Sequence, residues 1–377
     1  MILNEEQTMI RDMARQFATD RLAPANGFEA EGGFPPGIVA EMGRLGLLGM
    51  TVPEEWGGAG VDMVSYVLAL EEIAAGCGAL STMMSVNNSP VAAAINAYGT
   101  PDQKRKFLVP IARGEAIGAF CLTEPQAGSD ASALRTRARR DGSDFVIDGT
   151  KQFVTSGRIA RFALVFAVTD PEAGKRGISC FIVPTDTPGY GVASVERKLG
   201  QRASDTCQIA FDACRVPAGN MLGGEGEGYR IALANLETGR IGIAAQAIGM
   251  ARAAFEAAPA YAGERQAFGT AIVNHQAVGF RLADMATDIA VARQMALHAA
   301  ELKQAGQPCL TEAAMAKVFA SEMAERVCSA AIQVHGGYGY VEGYPVERIY
   351  RDVRVCQIYE GTSDVQRLII SRALAGI

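Results

Sequence analysis

The sequence predicts an α+β fold of three domains, in the order helical, β, helical. Three observations carry this. Residues from Asn4 to about 115, and again from about 229 to the end, repeat apolar side chains at helical spacing. The stretch between them, 116–228, holds short β-branched and aromatic runs bounded by turn residues. No helical pattern of ten or more residues separates those runs, which argues for an antiparallel sheet rather than βαβ units. A chain of 377 residues has room for two or three domains at about 150 residues each. The expected boundaries are 1–115, 116–228 and 229–377.

Each element has its own signal. Residues 5–20 place Met9, Met13, Ala14, Phe17 and Ala18 on one helical stripe. Pro35-Pro36 fits the start of another helix. Residues 61–76 and 89–98 also read as helices, punctuated by Pro53, Gly57-Gly58, Gly60 and Pro101. The strand runs are 145–147, 162–168 and 178–183, with turns at Asp141-Gly142, Asp148-Gly149, Pro171 and Pro188-Gly189. Helical spacing returns over 229–259, 276–304 and 311–333, broken by a glycine-rich loop, 334–340.

Composition removes several function classes. With 35 Lys+Arg against 41 Asp+Glu, there is no basic excess to neutralise nucleic acid. No apolar run approaches the roughly 20 residues that span a bilayer. His275, His298 and His335 are far apart in sequence, so no metal site is expected. The eight cysteines form no CxxC pair and read as buried free thiols in a reducing compartment. Residues Met1–Glu6 show no basic segment leading into an apolar one, and a cytoplasmic location is expected.

Five constellations carry possible chemistry. Phe120–Asp130 follows a short strand and contains Leu122, Thr123, Gly128 and Ser129; its turn amides and hydroxyls suit an anion, or simply an ordinary Pro/Gly turn. Lys151–Gly157 offers a ring, Phe153, and a hydroxyl, Thr155, at a strand end. Gln333–Tyr340, with Gly336 and Gly337, lacks the strand and spacing of a dinucleotide fingerprint; it is a flexible interhelical loop or a place for close backbone approach. Tyr359–Gln366 reads as a helix start capped by Ser363 with Gln366, putting Glu360 beside Gly361 just ahead of it. There Glu360 favours a helix dipole or serves as a general base. Glu237 and Arg240 stand three apart on a helix, as an ion pair or as a pocket wall.

These pieces, in this order and over nearly the whole chain, resemble the acyl-CoA dehydrogenase family. The most specific elements are Thr123–Asp130 and Tyr359–Ser363; Arg265-Gln266-Ala267-Phe268-Gly269, His275-Gln276 and Tyr344–Arg348 also match. The resemblance implies a four-helix-bundle-like C-terminal domain and FAD as cofactor. Phe120, Leu122, Thr123, Gly128, Ser129, Phe153 and Thr155 then line the flavin. Arg265, Gln276, Gln333, Gly336 and Gly337 belong to the segment that reaches the FAD of a neighbouring subunit, Phe268 is a further cofactor contact, and Thr362 and Asp364 resemble the family's adenine-side contacts. That implies a homo-oligomer, a tetramer built as a dimer of dimers. Ser129, Glu237, Arg240, Tyr359 and Gly361 are implied substrate contacts. Where the family often has Trp, this chain has Phe153, and where Glu or Gln is commoner it has Asp364.

The implied reaction is α,β-dehydrogenation of an acyl-CoA, with Glu360 as α-proton base and hydride transfer to flavin N5. Some members carry the base on the helix before the arginine, but Gly239 occupies that position here. Residues 240–246 look most like short-chain members, so a short or branched acyl chain is expected. Ser81 stands where the glutaryl-CoA enzyme has arginine, which argues against a dicarboxylyl substrate. An electron-transferring flavoprotein is the implied acceptor. The alternatives are a same-fold flavin oxidase and a non-catalytic acyl-CoA or FAD binder.

Overall fold

The computed structural model describes residues 2–22, 25–35 and 37–376. Helices run from Glu5–Leu22 to Val109–Ala112, strands from Gly118–Cys121 to Met221–Leu222, and helices again from Gly228–Glu264 to Ser363–Ala375. The first helix buries Ala14, Phe17, Ala18 and Leu22 on one stripe. Met9, expected there, faces solvent, because Gln7 turns inward and donates to Asp62 Oδ2 at 2.9 Å. The helix expected from Pro35-Pro36 is Ile38–Arg44, preceded by Gly37 at φ 86°; Pro36 itself lies outside the described residues.

The middle strands are β1 (Gly118–Cys121), β2 (Arg137–Asp141), β3 (Asp144–Thr155), β4 (Phe162–Val168), β5 (Ile178–Pro184), β6 (Tyr190–Val195), β7 (Thr206–Pro217) and β8 (Met221–Leu222). They form one sheet, ordered β6-β7-β3-β2-β4-β5-β8, with β1 also on β4. The expectation of a wholly antiparallel sheet needs correction. β1 runs parallel to β4, from Gly118 opposite Phe162 to Cys121 opposite Val165, and Arg137 of β2 meets Val168 in the same sense. So β1 and β2 follow one another along one edge of β4. The segment between them, 122–136, is an excursion off that edge, and it carries the Thr123–Asp130 motif.

Along β4, Leu164 and Phe166 pack with Phe107, Ile111 and Ile231, while Ala163, Val165 and Ala167 pack with Phe145, Phe181 and Phe211. Burial on both faces explains why residues 162–168 read as a continuous apolar run. The rings of Phe145 on β3 and Phe181 on β5 lie 5.0 Å apart although two strands separate them in the sheet, so the sheet curls over its own core. Beneath the excursion, Lys151 Nζ meets Glu124 Oε1 at 2.8 Å, with side chains 0% and 3% exposed. Lys151 also donates to the Leu122 carbonyl, and Glu124 accepts from the backbone amides of Arg135 and Thr136. Burial alone would raise the Glu124 carboxyl, but Lys151 and these donors outweigh it and hold it at about 2.

The helix expected over 229–259 runs on to Glu264 through Pro259. It packs closely on helix Met63–Gly76: a Cβ on Gly249 would lie 2.2 Å from the Glu71 carbonyl. Glu71 and Glu72 are buried there and pair with Arg252, Glu71 also with Arg293 and Glu72 with Arg15. All eight cysteines are buried and free of disulfides. Among the described residues, no helix is long and apolar enough to cross a membrane.

Breaking one side of the Glu124–Lys151 pair leaves a buried charge. Lys151→Met should lower stability by about 3–5 kcal/mol, read by urea denaturation, and the double variant Glu124→Gln/Lys151→Met should recover part of it. Because the folded Glu124 value lies below its ordinary 4.5, its contribution is complete above pH 4.5 and is lost as pH falls toward about 2.

Candidate active site

Glu360 ends the turn that follows a short 3-10 segment, Arg354–Gln357, and precedes helix Ser363–Ala375. Its backbone is left-handed at φ 53° and that of Gly361 follows at φ 91°. A non-glycine residue held there is uncommon and needs support from its surroundings. Lys317, fully buried on helix Leu310–His335, donates to the Gly361 carbonyl at 2.7 Å and to the Cys356 carbonyl at 3.1 Å. Gln366, also fully buried, donates to the Gly361 carbonyl at 2.9 Å. The phenol of Tyr359 donates to Gln246 Oε1 at 2.6 Å.

The carboxylate points at helix Gly228–Glu264. A Cβ on Gly239 would lie 1.8 Å from Glu360 Oε2, so the carboxylate fills the notch that this glycine leaves. Oε2 is shielded from solvent and has no hydrogen-bond partner within the chain. Burial pushes the group up to about 7, against the opposing charges of Lys317 and Arg240. One turn along the helix, Gly242 faces Ser85 Oγ, the Tyr66 hydroxyl and Leu70.

Two expectations for this region change. The helix cap is Thr362, whose Oγ1 accepts from the Val365 amide, and not Ser363; the Gln366 amide bonds to the Gly361 carbonyl instead of closing a capping box. The expected Glu237–Arg240 pair is replaced by Glu237–Lys303, at 2.9 Å, because a lysine on helix Gln276–Gln304 reaches Glu237. Arg240 is buried, lies in the field of Glu360 and Glu237, and its Nε makes no hydrogen bond.

The sheet supplies a second group. The Gln152 amide donates to the Thr123 carbonyl at 2.8 Å, which brings Phe120, Leu122 and Thr123 beside Phe153 and Thr155. Phe153 sits at φ 56° with its ring 63% exposed. Thr123 and Thr155 are half-buried, while Gly128 and Ser129 are exposed. Residues 200–205 link this group to the Glu360 region. Asp205 accepts from the Ser156 amide, Gln201 bonds Asp352 through its backbone amide, and Thr82 donates to Gln201.

A third group stands apart. Phe268 and Gly269 form the two-residue tip of a hairpin, Gln266–Ala267 with Thr270–Ala271, at φ 52° and 81°. The Phe268 ring is 97% exposed. Gln276 is exposed at the next helix start, and Arg265 stacks over Tyr338 at 5.9 Å. Arg265, Gly336 and Gly337 line a surface cavity of about 480 Å³, whereas Gln333 lines another of about 640 Å³ with Arg326 and Tyr350. Gln333 belongs to helix Leu310–His335, so the expected loop begins only at Gly336, as a 3-10 turn. Neither cavity includes Glu360, Phe153 or Thr123.

These features fit FAD. An exposed ring on constrained backbone suits a planar partner, and Ser363 Oγ, Gln366 Oε1 and Glu360 Oε2 are buried polar atoms with no partner in the chain. Sequence reasoning missed Lys317 and Tyr66, and the parts played by Gln366, Gln246 and the Glu124–Lys151 pair. Lys317 left a trace as a lone lysine in an otherwise small and apolar stretch, Ala313–Ala320.

Comparison with known proteins agrees. Family models described as the N-terminal, middle and C-terminal domains of acyl-CoA dehydrogenase match residues 4–115, 119–214 and 226–375. The short-chain-specific acyl-CoA dehydrogenase of Clostridium acetobutylicum is 45% identical over 370 residues, covering 98% of each chain. The solved butyryl-CoA dehydrogenase of Megasphaera elsdenii superposes with a TM-score of 0.97 at 41% identity, over 100% of this chain and 99% of that one. A glutaryl-CoA dehydrogenase of Mycobacterium smegmatis, solved with FADH2, gives a TM-score of 0.95 at 36% identity, covering 100% and 96%.

The Gly239 notch can be tested directly. Gly239→Ala should swing the Glu360 carboxylate out of its place, seen in a crystal structure of the variant, and cost about 1–3 kcal/mol of stability. An unmoved carboxylate at full stability would contradict the notch.

Proposed function

Since this chain belongs to the acyl-CoA dehydrogenase family, as a FAD-dependent oxidoreductase, we propose that Glu360 is the base that removes the α proton of an acyl-CoA thioester, giving the trans-2-enoyl-CoA. The observation that carries this is the Glu360 carboxylate itself: the residue is half-buried, but its Oε2 is shielded from solvent, unpartnered and placed against Gly239. An α C–H is a very weak acid, so its base must be desolvated and matched in pKa to the working pH. A value of about 7 leaves Glu360 partly ionised near neutrality and able to hold the proton it gains. When bound, FAD supplies the two-electron acceptor for the β hydrogen.

Phe120, Leu122, Thr123, Gly128, Ser129, Phe153 and Thr155 would hold FAD on the sheet side, and Thr362 and Asp364 at the helix start. Tyr359, Gly361 and Arg240 would border the substrate, with Ser129 at the mouth and Glu237 behind Arg240. We assign Arg265, Phe268, Gln276, Gln333, Gly336 and Gly337 to a second subunit's FAD. The support is a hairpin whose left-handed tip leaves Phe268 almost wholly exposed, and on this reading the enzyme is a homo-oligomer.

A short acyl chain is the proposed substrate. From Gly239 to Gln246 the helix advances about 10 Å. Tyr66 and Leu70 approach that stretch at Gly242, and Tyr359 bonds to it at Gln246, which supports a site with little room for a long chain. An electron-transferring flavoprotein remains the proposed acceptor. A cytoplasmic site of action is supported by eight buried free thiols.

Glu360→Gln should retain FAD yet slow anaerobic flavin bleaching by acyl-CoA by orders of magnitude; near-normal bleaching would sink the assignment. Below its pKa the base is protonated, so wild-type kcat/KM should rise with pH through about 7. Arg265→Ala should lower flavin content and assembly together, measured by absorbance and light scattering. Across a series of straight acyl-CoA esters, bleaching should be fastest with short chains; rapid reoxidation by air would instead signal an oxidase.

A further inference from the structure

The proposed chemistry needs Glu360, yet the group with the firmest hold on its turn is a lysine that no substrate touches. Lys317 is fully buried, an expensive place for an ammonium unless its hydrogen bonds are met. Its Nζ donates to the carbonyl of Cys356, before Glu360, and to that of Gly361, after it. Both bonds end on carbonyls, so neither neutralises its charge. We propose that Lys317 is the positioning residue of the catalytic base. It clamps the left-handed turn from both sides, and its unneutralised charge keeps the buried Glu360 carboxylate ionised.

The other charged and titratable groups around Glu360 do not duplicate this role. Helix Gly228–Glu264 contributes Arg240, whose effect is shared with Glu237. Helix Met63–Gly76 contributes Tyr66, whose buried hydroxyl stays protonated. Within the turn, Tyr359 bonds Gln246 and contacts Cys356, and burial holds both protonated. Burial lowers Lys317 itself to about 8, with Cys356 and Glu360 opposing that fall, so most of it is charged at pH 7, where Glu360 titrates. Gln366 shares the Gly361 carbonyl but brings no charge.

This inference rests on Glu360 being the base, and the test separates the two. Lys317→Met removes bonds and charge, while Lys317→Gln keeps an amide donor without charge. In the FAD-loaded enzyme, both should move the midpoint of the kcat/KM rise upward by about one pH unit. Both should also lower kcat at pH 7 about fivefold, with KM changed less than about threefold and activity returning at high pH. The carboxyl stretch absent from Glu360→Gln gives the same midpoint by infrared titration without turnover. It should shift upward in both variants even if no acyl-CoA bleaches the flavin, an outcome that would remove the proposed reaction alone. If Lys317→Met fails to fold, Lys317→Gln carries the same readout. An unchanged midpoint in the variant that folds, by infrared and by kinetics, overturns the proposal.

Discussion

A carboxylate out of water and without a bonded partner is costly, and at Glu360 that cost is met by shape and distant charge. The missing side chain of Gly239 gives the oxygen its space. That space exists only while helix Gly228–Glu264 lies tightly against its neighbours, which its glycines at 242 and 249 permit. Lys317 and Arg240 face the site without bonding the carboxylate, so they lower the cost without occupying the atom that would accept a proton in the proposed reaction. Direct ion pairing would have given a cheaper carboxylate and a poorer base.

The sheet side uses the opposite device. Glu124 is paired and saturated with donors, and it titrates far below neutrality. Its task is to fasten an excursion between two strands that share one edge of β4. The helical side thus holds an unpartnered carboxylate, while the sheet side holds a fully bonded one. Residues 200–205 join the two, so the spacing between ring-bearing strand and base depends on a few bonds to Asp205, Gln201 and Asp352.

Much of this was legible in the sequence, for physical reasons. Helical stripes and turn-bounded strands are local signals, and they located the long helices and strands β3, β4 and β5, while β2, β6, β7 and β8 went unread. Glu360, Thr123 and Phe153 stood out as candidates because short motifs in a fixed order carried them. The failures involve contacts between residues far apart in the chain. Glu237 found Lys303 rather than Arg240, and β1 lay parallel to β4 because a long excursion returned the chain to the same edge. Gly239 was noticed as a missing carboxylate; its use as a notch needs the opposing turn in view. Lys317 could not be read as more than a buried-face oddity until its two carbonyl partners were placed.

The eight cysteines have a practical consequence. Every one is buried, and burial raises the thiols, Cys77 to about 11 and Cys121 to about 12, so little thiolate exists at neutral pH. In the native state they are mute toward alkylating reagents; they answer only when the chain around them opens. Cys121, Cys180, Cys207 and Cys214 lie in the sheet domain and Cys77, Cys309, Cys328 and Cys356 among the helices. The order in which they become labelled therefore reports which part of the molecule breathes first, with no engineered probe.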